Sequence, residues 1–254
     1  MQKYMKNIFQ VIYPASESNE NEIIERFRID AEAMRAIGIC VGAKHSTAAT
    51  HFMYRGFIIF DEIKYPNDKR FLNNYEIYKN YQYLSKYHEH IADLSIETFF
   101  VDDLDDNLIL TLKEKGWAKC FIKKDISALE HIEQGKSVWP KTIFEEMKKL
   151  YDKKPFEGKF AIRKFIEQEI IEKEERYWVF NGNIYHRHNV IPNVVIEAAK
   201  RLDKLGSKYY TIDATPEFVV EVNPGESSDR HAVNSAELFA SWIKKEFDSD
   251  KNML

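Results

Sequence analysis

The sequence is short of cysteine, glycine, long apolar runs and excess charge, and each shortage closes a class of explanation. Two cysteines in 254 residues, Cys40 and Cys120, are too few for a disulfide framework or a zinc site built on thiolates. No run approaches the roughly 18–20 apolar residues that span a bilayer, so no membrane partner is expected. The opening MQKYMKNIFQVIYP lacks the sustained apolar core of a secretory signal. The expected setting is a reducing cytoplasm, with both cysteines packed as small hydrophobes. Charge is balanced: 37 Lys and Arg against 41 Asp and Glu leave a net −4. That argues against a nucleic-acid partner, which a basic surface would hold. Only nine glycines occur, and none lies between the first strand-like run and the helix after it. A dinucleotide fingerprint needs glycine there for close backbone approach, so Rossmann-type nucleotide binding is not expected.

What is present is enough apolar residue, 44% of the chain, to build one large core or two modest ones. The first third reads as β-α-β. A strand over 6–13 ends at Pro14. Ile23, Phe27, Met34 and Ile37 then recur near helical spacing before Gly38, and a strand over 39–41 returns. Such a unit predicts parallel pairing. A strand over 52–60 and a tyrosine-rich helix over 72–87 follow. The acid run DDLDD at 102–106 reads as a solvated turn leading into a helix that Gly116 closes.

From Trp117 the pattern changes to short strands over 117–124, 159–166, 176–181, 183–188, 208–213 and 218–223. Helices are expected over 140–152, 192–205 and 235–247. Pro140 and Pro192 suit a first helical turn, and Asn181-Gly182 is a strong hairpin signal. A division into residues 1–115 and 116–254 follows. No Pro/Gly/Ser linker separates the two, so they should pack closely.

The chemistry concentrates in YYTIDATPEFVVEVNPGESSDR, residues 209–230. Asp213 ends one strand, and Glu221 and Asn223 end the next. Residues two apart on a strand share a face, and a hairpin brings Asp213 alongside them. Two carboxylates and an amide oxygen form a hard-oxygen set suited to Mg²⁺, or Mn²⁺, with phosphates and water completing the shell. Pro224-Gly225 then turns the chain away. His186 and His188 also share a strand face, but no third nitrogen or sulfur ligand stands near them in sequence.

An Asp on one strand, then Glu-x-Asn and Pro-Gly on the next, resembles the closing strands of the ATP-grasp superfamily. CFIKKDI at 120–126 looks like the family's phosphate-contacting lysine strand. AIRKFIEQ at 161–168 looks like the strand entering the adenine hinge, and EERYWVFNG at 174–182 like the glutamate strand after it. The resemblance implies an α+β or α/β architecture, an ATP-grasp fold with an N-terminal Rossmann-like pre-ATP-grasp domain on the substrate side. It implies ATP as cofactor, with Mg²⁺ or Mn²⁺ on Asp213, Glu221 and Asn223.

Lys123 or Lys124 would touch the phosphates. Neighbours on a strand point oppositely, and Lys124 is preferred because it shares a face with Ile122. Arg163 or Lys164 would add a second positive contact. Phe165, Ile166 and Glu167 would line the adenine hinge, and Glu175 would accept the ribose hydroxyls. Arg176 and Arg187 would reach the transferring phosphate or a substrate carboxylate. Arg230 would hold a carboxylate near Ser227 and Ser228, and Arg55 would help to select the substrate. The segment 126–140, with Gly135 as its single glycine, would serve as a phosphate lid.

The activity implied is ATP-dependent joining of a carboxylate to an amine, forming a C–N bond through an acylphosphate, with release of ADP and phosphate. The partners would be a small-molecule or peptide carboxylate and an amine. Two other readings remain: a phosphotransferase that stops after moving phosphate onto a hydroxyl or another acceptor, a version a His nucleophile such as His186 would favour, and a nucleotide-binding module without catalysis. Lysine adenylation from Lys124-Asp125 fails for want of the glycine expected soon after the lysine. Substrate identity and oligomeric state stay open.

Overall fold

β1 (Phe9–Ile12) is the central strand of a three-stranded sheet, with β2 (Cys40–Gly42) and β3 (His51–Tyr54) parallel to it on either side. The computed structural model describes residues 8–55, 69–125, 136–138, 159–188, 190–231 and 233–247. The β1-to-β2 crossover runs through a 3-10 turn at Glu25–Phe27 and α1 (Arg28–Ala36), so the parallel pairing expected from the sequence is present. Gly38 ends that crossover helix with φ +87°, a conformation only glycine adopts without strain.

The single helix expected over 72–87 is two helices, α2 (Tyr75–Gln82) and α3 (Leu84–Ile91), broken at Tyr83, whose ψ of 119° is extended. Asn74 caps α2 by accepting from the Ile77 amide at 2.9 Å. The cap of α3 comes from a distant part of the chain. Asp125 accepts the Leu84 amide on its carbonyl at 2.7 Å and the Ser85 amide on Oδ1 at 2.6 Å. A helix start satisfied by a residue some forty positions away leaves no local signal.

The second sheet, ordered β4–β7–β5–β6, is antiparallel throughout. Its strands are β4 (Thr98–Val101), β5 (Cys120–Lys124), β6 (Lys136–Val138) and β7 (Phe160–Lys164). β4 was not expected from the sequence. The acid run that follows it is the predicted turn: Asp105 caps α4 (Asp106–Glu114), accepting the Asn107 amide at 3.0 Å and the Leu108 amide at 3.2 Å. Leu104, Leu108 and Leu112 pack on Cys120, Ile122, Phe160 and Ile162. This sheet and its core therefore contain chain from both sides of residue 115. Cys120 is buried as expected, whereas Cys40 is exposed.

The third sheet, β11–β10–β8–β9, is built from two antiparallel hairpins. β8 (Glu175–Phe180) and β9 (Asn183–Tyr185) join through the predicted Asn181-Gly182 turn, both residues at positive φ. β10 (Tyr209–Ala214) and β11 (Val219–Pro224) form the other hairpin. Side chains alternate across this sheet. Tyr177, Val179, Tyr210 and Ile212 pack with α2, α3 and α6 (Asn193–Leu202). Trp178, Phe180 and Tyr209 face the other way, onto β1, α1 and α7 (Ala236–Phe247). The one-turn helix α5 (Gln168–Ile171) links β7 to β8.

Among the described residues, no helix is long and apolar enough to cross a membrane. The expectations for residues 6–7, 56–60 and the helix over 140–152 lie outside the described residues, as does the proposed lid apart from β6.

Candidate functional site

The β10–β11 register places Asp213 directly opposite Glu221 and Thr211 opposite Asn223, so all four share one face of the sheet. The Asn223 amide donates to Asp213 Oδ2 at 3.2 Å and to Glu221 Oε2 at 3.3 Å. The three residues singled out in the sequence are thus one cluster. Asp213 is 4% exposed and Asn223 8%, so the donors are held by the fold. A bulge after Asp213 shifts the register beside them, Ala214 pairing with Val219.

The donor set fits a divalent cation. Two carboxylates converge, and a half-turn of the Asn223 amide replaces its NH₂ by Oδ1 between them. Among the described residues no three His, Cys, Asp or Glu side chains group as metal ligands; the set here needs the asparagine as its third donor.

Two cations lie on this cluster. Lys123 ion-pairs with Glu221, and its side chain is only 7% exposed. Arg176 forks Asp213, Nε to Oδ1 and Nη2 to Oδ2, both at 2.7 Å. Burial works to raise the Glu221 carboxyl, but Lys123 first, then Arg163 and Asn223, outweigh it and hold the group below the usual carboxylate range. Arg176 is held above its ordinary value, Asp213 overcoming the opposing cost of burial.

Of the two lysines, Lys123 reaches the acids, against the sequence-based preference for Lys124. Ile122 turns out to face α4, within the core formed by Leu108 and Leu112. Sharing a face with Ile122 therefore points Lys124 away from β11, and the intervening Lys123 toward it.

The remaining candidates divide. Arg163 is 5% exposed; it donates from Nη2 to the Val220 carbonyl at 2.7 Å and from Nε to Thr98 Oγ1 at 3.3 Å, tying β11 to the second sheet. Lys164 is exposed. Phe165 and Ile166 are half-buried at the start of the β7–α5 connection, with the Lys119 ammonium 4.1 Å from the Phe165 ring centre. Glu167 is exposed at the N-cap of α5.

Glu175 is organised by its neighbours: Arg187 at 3.0 Å, His186 Nε2 at 3.5 Å and the Tyr177 hydroxyl at 3.5 Å. Arg230 does not join the acid cluster. It binds Asp30 of α1 at 2.7 Å and the Asn234 carbonyl.

Arg55, expected to select substrate, is wholly buried. It donates to the carbonyls of Gly225 and Ser228, both at 2.7 Å, with its guanidinium 4.3 Å from the Trp178 ring centre. Ser227 and Ser228 are also buried, and both hydroxyls return to the Pro224 carbonyl. These residues fasten the turn that carries the chain away from Asn223.

Sequence reasoning missed Glu174 and Asp229. Glu174 shares a cleft of about 280 Å³ with Ile171, Glu175, Arg176, Asp213 and His231. Burial, reinforced by Asp213 and Glu221, pushes its carboxyl up to about 7. It lies one residue before β8, two positions ahead of Arg176. Asp229 accepts from Arg176 Nη1 at 3.1 Å and from Arg26 at 3.2 Å. Nothing local in the sequence marks it.

No family model and no curated protein matches the sequence. Solved structures do match in shape. An ATP-grasp RimK domain protein from Sphaerobacter thermophilus superposes with a TM-score of 0.61 at 15% identity, covering 92% of this chain and 98% of that one. The macrocyclase MdnC from Microcystis aeruginosa, bound with precursor peptide MdnA, gives 0.59 at 13% identity, covering 93% and 99%. The ATP-grasp ligase PsnB, complexed with minimal precursor, Mg and ADP, gives 0.58 at 11% identity, covering 96% and 99%.

Proposed function

We propose that this chain, which has the ATP-grasp fold, is an ATP-dependent ligase that joins a carboxylate to an amine. The observation that carries the reading is the convergence of Asp213, Glu221 and Asn223 on one sheet face, with Lys123 and Arg176 beside them. A nucleotide-binding shell has no need of a complete oxygen donor set. The ligand chemistry of two fold neighbours, a peptide in MdnC and a peptide with Mg and ADP in PsnB, supports a peptide or small-molecule carboxylate as substrate.

In this reading a substrate carboxylate oxygen attacks the γ-phosphorus, the bond to the β-phosphate oxygen breaks, and ADP leaves. The amine then attacks the acylphosphate carbonyl carbon, phosphate departs, and the nitrogen gives up its proton. The obstacle in the first half is anion meeting anion. Mg²⁺, or Mn²⁺, on Asp213, Glu221 and Asn223 supplies positive charge to the phosphate oxygens when bound.

Lys123 and Arg176 lie close enough to pass from the carboxylates to those oxygens. Arg163 adds buried positive charge under β11, while Lys124 and Lys164 end the neighbouring strands β5 and β7. Glu175, steadied by Arg187, is set to accept ribose hydroxyls, and the connection through Phe165, Ile166 and Glu167 offers backbone groups to the adenine edge. The parallel β1–β3 unit is assigned as the Rossmann-like, substrate-side domain within residues 1–115, and the cytoplasm as the setting.

A phosphotransferase with His186 as nucleophile loses ground because the His186 side chain is 1% exposed, packed on Tyr177 and facing Glu175.

The test is direct. ATP should bind only with Mg²⁺ or Mn²⁺, and turnover should release ADP and phosphate. Asp213→Asn and Glu221→Gln should each abolish turnover while keeping the far-ultraviolet circular dichroism of the parent. Wild-type-like turnover in both variants would overturn the metal assignment. AMP and pyrophosphate as products would overturn the acylphosphate route.

A further inference from the structure

Resting on that reading but going beyond it, we propose that Asp229 is a positioning residue that keeps Arg176 at the site when a divalent cation takes Asp213. Arg176 uses three donors at once. Nε and Nη2 cover the two oxygens of Asp213, and Nη1 reaches Asp229 Oδ1 at 3.1 Å. Asp213, which also accepts from Asn223, already has three of its roughly four acceptor positions taken, so a cation there competes with this fork.

When a cation arrives, the attraction between Arg176 and Asp213 is opposed by a neighbouring positive charge, and the fork opens. The arginine side chain is 20% exposed, so solvent alone would stabilise it poorly. Asp229 gives it a second anion to hold.

Asp229 is itself fixed independently of Arg176. Oδ1 also accepts the His231 amide at 3.1 Å, and Oδ2 accepts from Arg26 at 3.2 Å. Its loop is held from below: Arg55 binds the Ser228 carbonyl, and Thr211 and Ser228 hydroxyls meet at 3.1 Å. Burial would raise the Asp229 carboxyl, but Arg176 first, with the His231 amide, Arg55 and Arg26, keeps it below its ordinary range. Turning about the Nη1 contact swings the Nε/Nη2 edge of Arg176 off Asp213 and into the cleft lined by Glu174, Glu175 and His231. The arginine that neutralises Asp213 is thereby delivered to the incoming phosphates.

The experiment is a Mn²⁺ titration without nucleotide, followed by the electron paramagnetic resonance signal of free Mn²⁺. Four proteins are compared: wild type, Asp229→Asn, Arg176→Met and the double variant, each checked for an unchanged thermal melt. Asp229→Asn is expected to weaken Mn²⁺ binding about tenfold, because displaced Arg176 then has no carboxylate to hold. The same substitution in the Arg176→Met background should change affinity less than about twofold. Asp229→Glu should restore most of the loss.

Equal weakening in both backgrounds would mean that Asp229 acts as a plain charge and would overturn the tether alone. No weakening in either would do the same. Mn²⁺ binding that survives Glu221→Gln unchanged would instead remove the metal site, and the tether with it.

Discussion

Lys123 of β5 and Glu221 of β11 pair across the gap between the second and third sheets, the lysine side chain 7% exposed and the glutamate 19%. Removing one partner strands the other in a low-dielectric site. Lys123→Met is therefore expected to cost about 3 kcal/mol of unfolding free energy in urea, with part of it recovered in the Lys123→Met/Glu221→Gln double variant. A single variant as stable as the parent would show that the pair carries no such burden.

Gly225 follows the β10–β11 hairpin where Tyr209 presses closest. A Cβ built there lies 2.2 Å from Tyr209 Cδ2 and 2.9 Å from the Tyr209 carbonyl oxygen. The ring is buried and the carbonyl is backbone, so neither can yield easily. Gly225→Ala should destabilise by about 1–3 kcal/mol and disturb Asn223, two residues earlier. Thermal unfolding reads the first effect and Mn²⁺ affinity the second. A melt equal to the parent's would refute the close approach.

Glu226 lies next in the chain, wholly buried, accepting from Asn73 at 2.9 Å. Burial pushes its carboxyl from 4.5 up to about 7, with Asn73, Tyr209 and Arg55 working in the other direction. A raised acid binds its proton more tightly in the folded chain than in the unfolded one. Stability from this group is thus complete below pH 4.5 and is lost as pH climbs toward about 7, by on the order of 3 kcal/mol in all. Glu226→Gln should flatten this part of the slope between pH 5 and pH 8 in urea titrations. Glu174, raised similarly, would leave its own share in place. An unaltered slope would mean that Glu226 is ionised in the fold.

The hairpin that carries Asp213, Glu221 and Asn223 was legible because everything defining it is local. Period-two spacing sets Glu221 beside Asn223, and the turn between the strands sets Asp213 opposite them. The parallel β1–β2 crossover was legible for the same reason. β4 was not: Thr98–Val101 is four residues long, and only its pairing with β7, some sixty positions on, makes it a strand. The break at Tyr83 depends on Asp125 capping α3 from another sheet. The choice between Lys123 and Lys124 depends on what covers Ile122, which no local pattern states. Arg55 and Arg230 read as ligand-binding charges, yet Arg55 Nη1 is engaged by the Gly225 and Ser228 carbonyls and Arg230 by Asp30 and the Asn234 carbonyl. A sequence shows that an arginine is available, and the tertiary structure decides whether its donors are spent.

The charges around the cleft come as matched partners: Lys123 with Glu221, Arg176 with Asp213, Arg26 with Asp229, Arg187 with Glu175. From a distance such couples cancel, and little field extends past the first ~8 Å of physiological saline. Among the described residues, these pairs give an approaching polyanion, such as the proposed nucleotide, little long-range pull. Capture is decided at contact, by a swap of counter-ions, so encounter rates should change little with ionic strength while dwell times carry the selectivity.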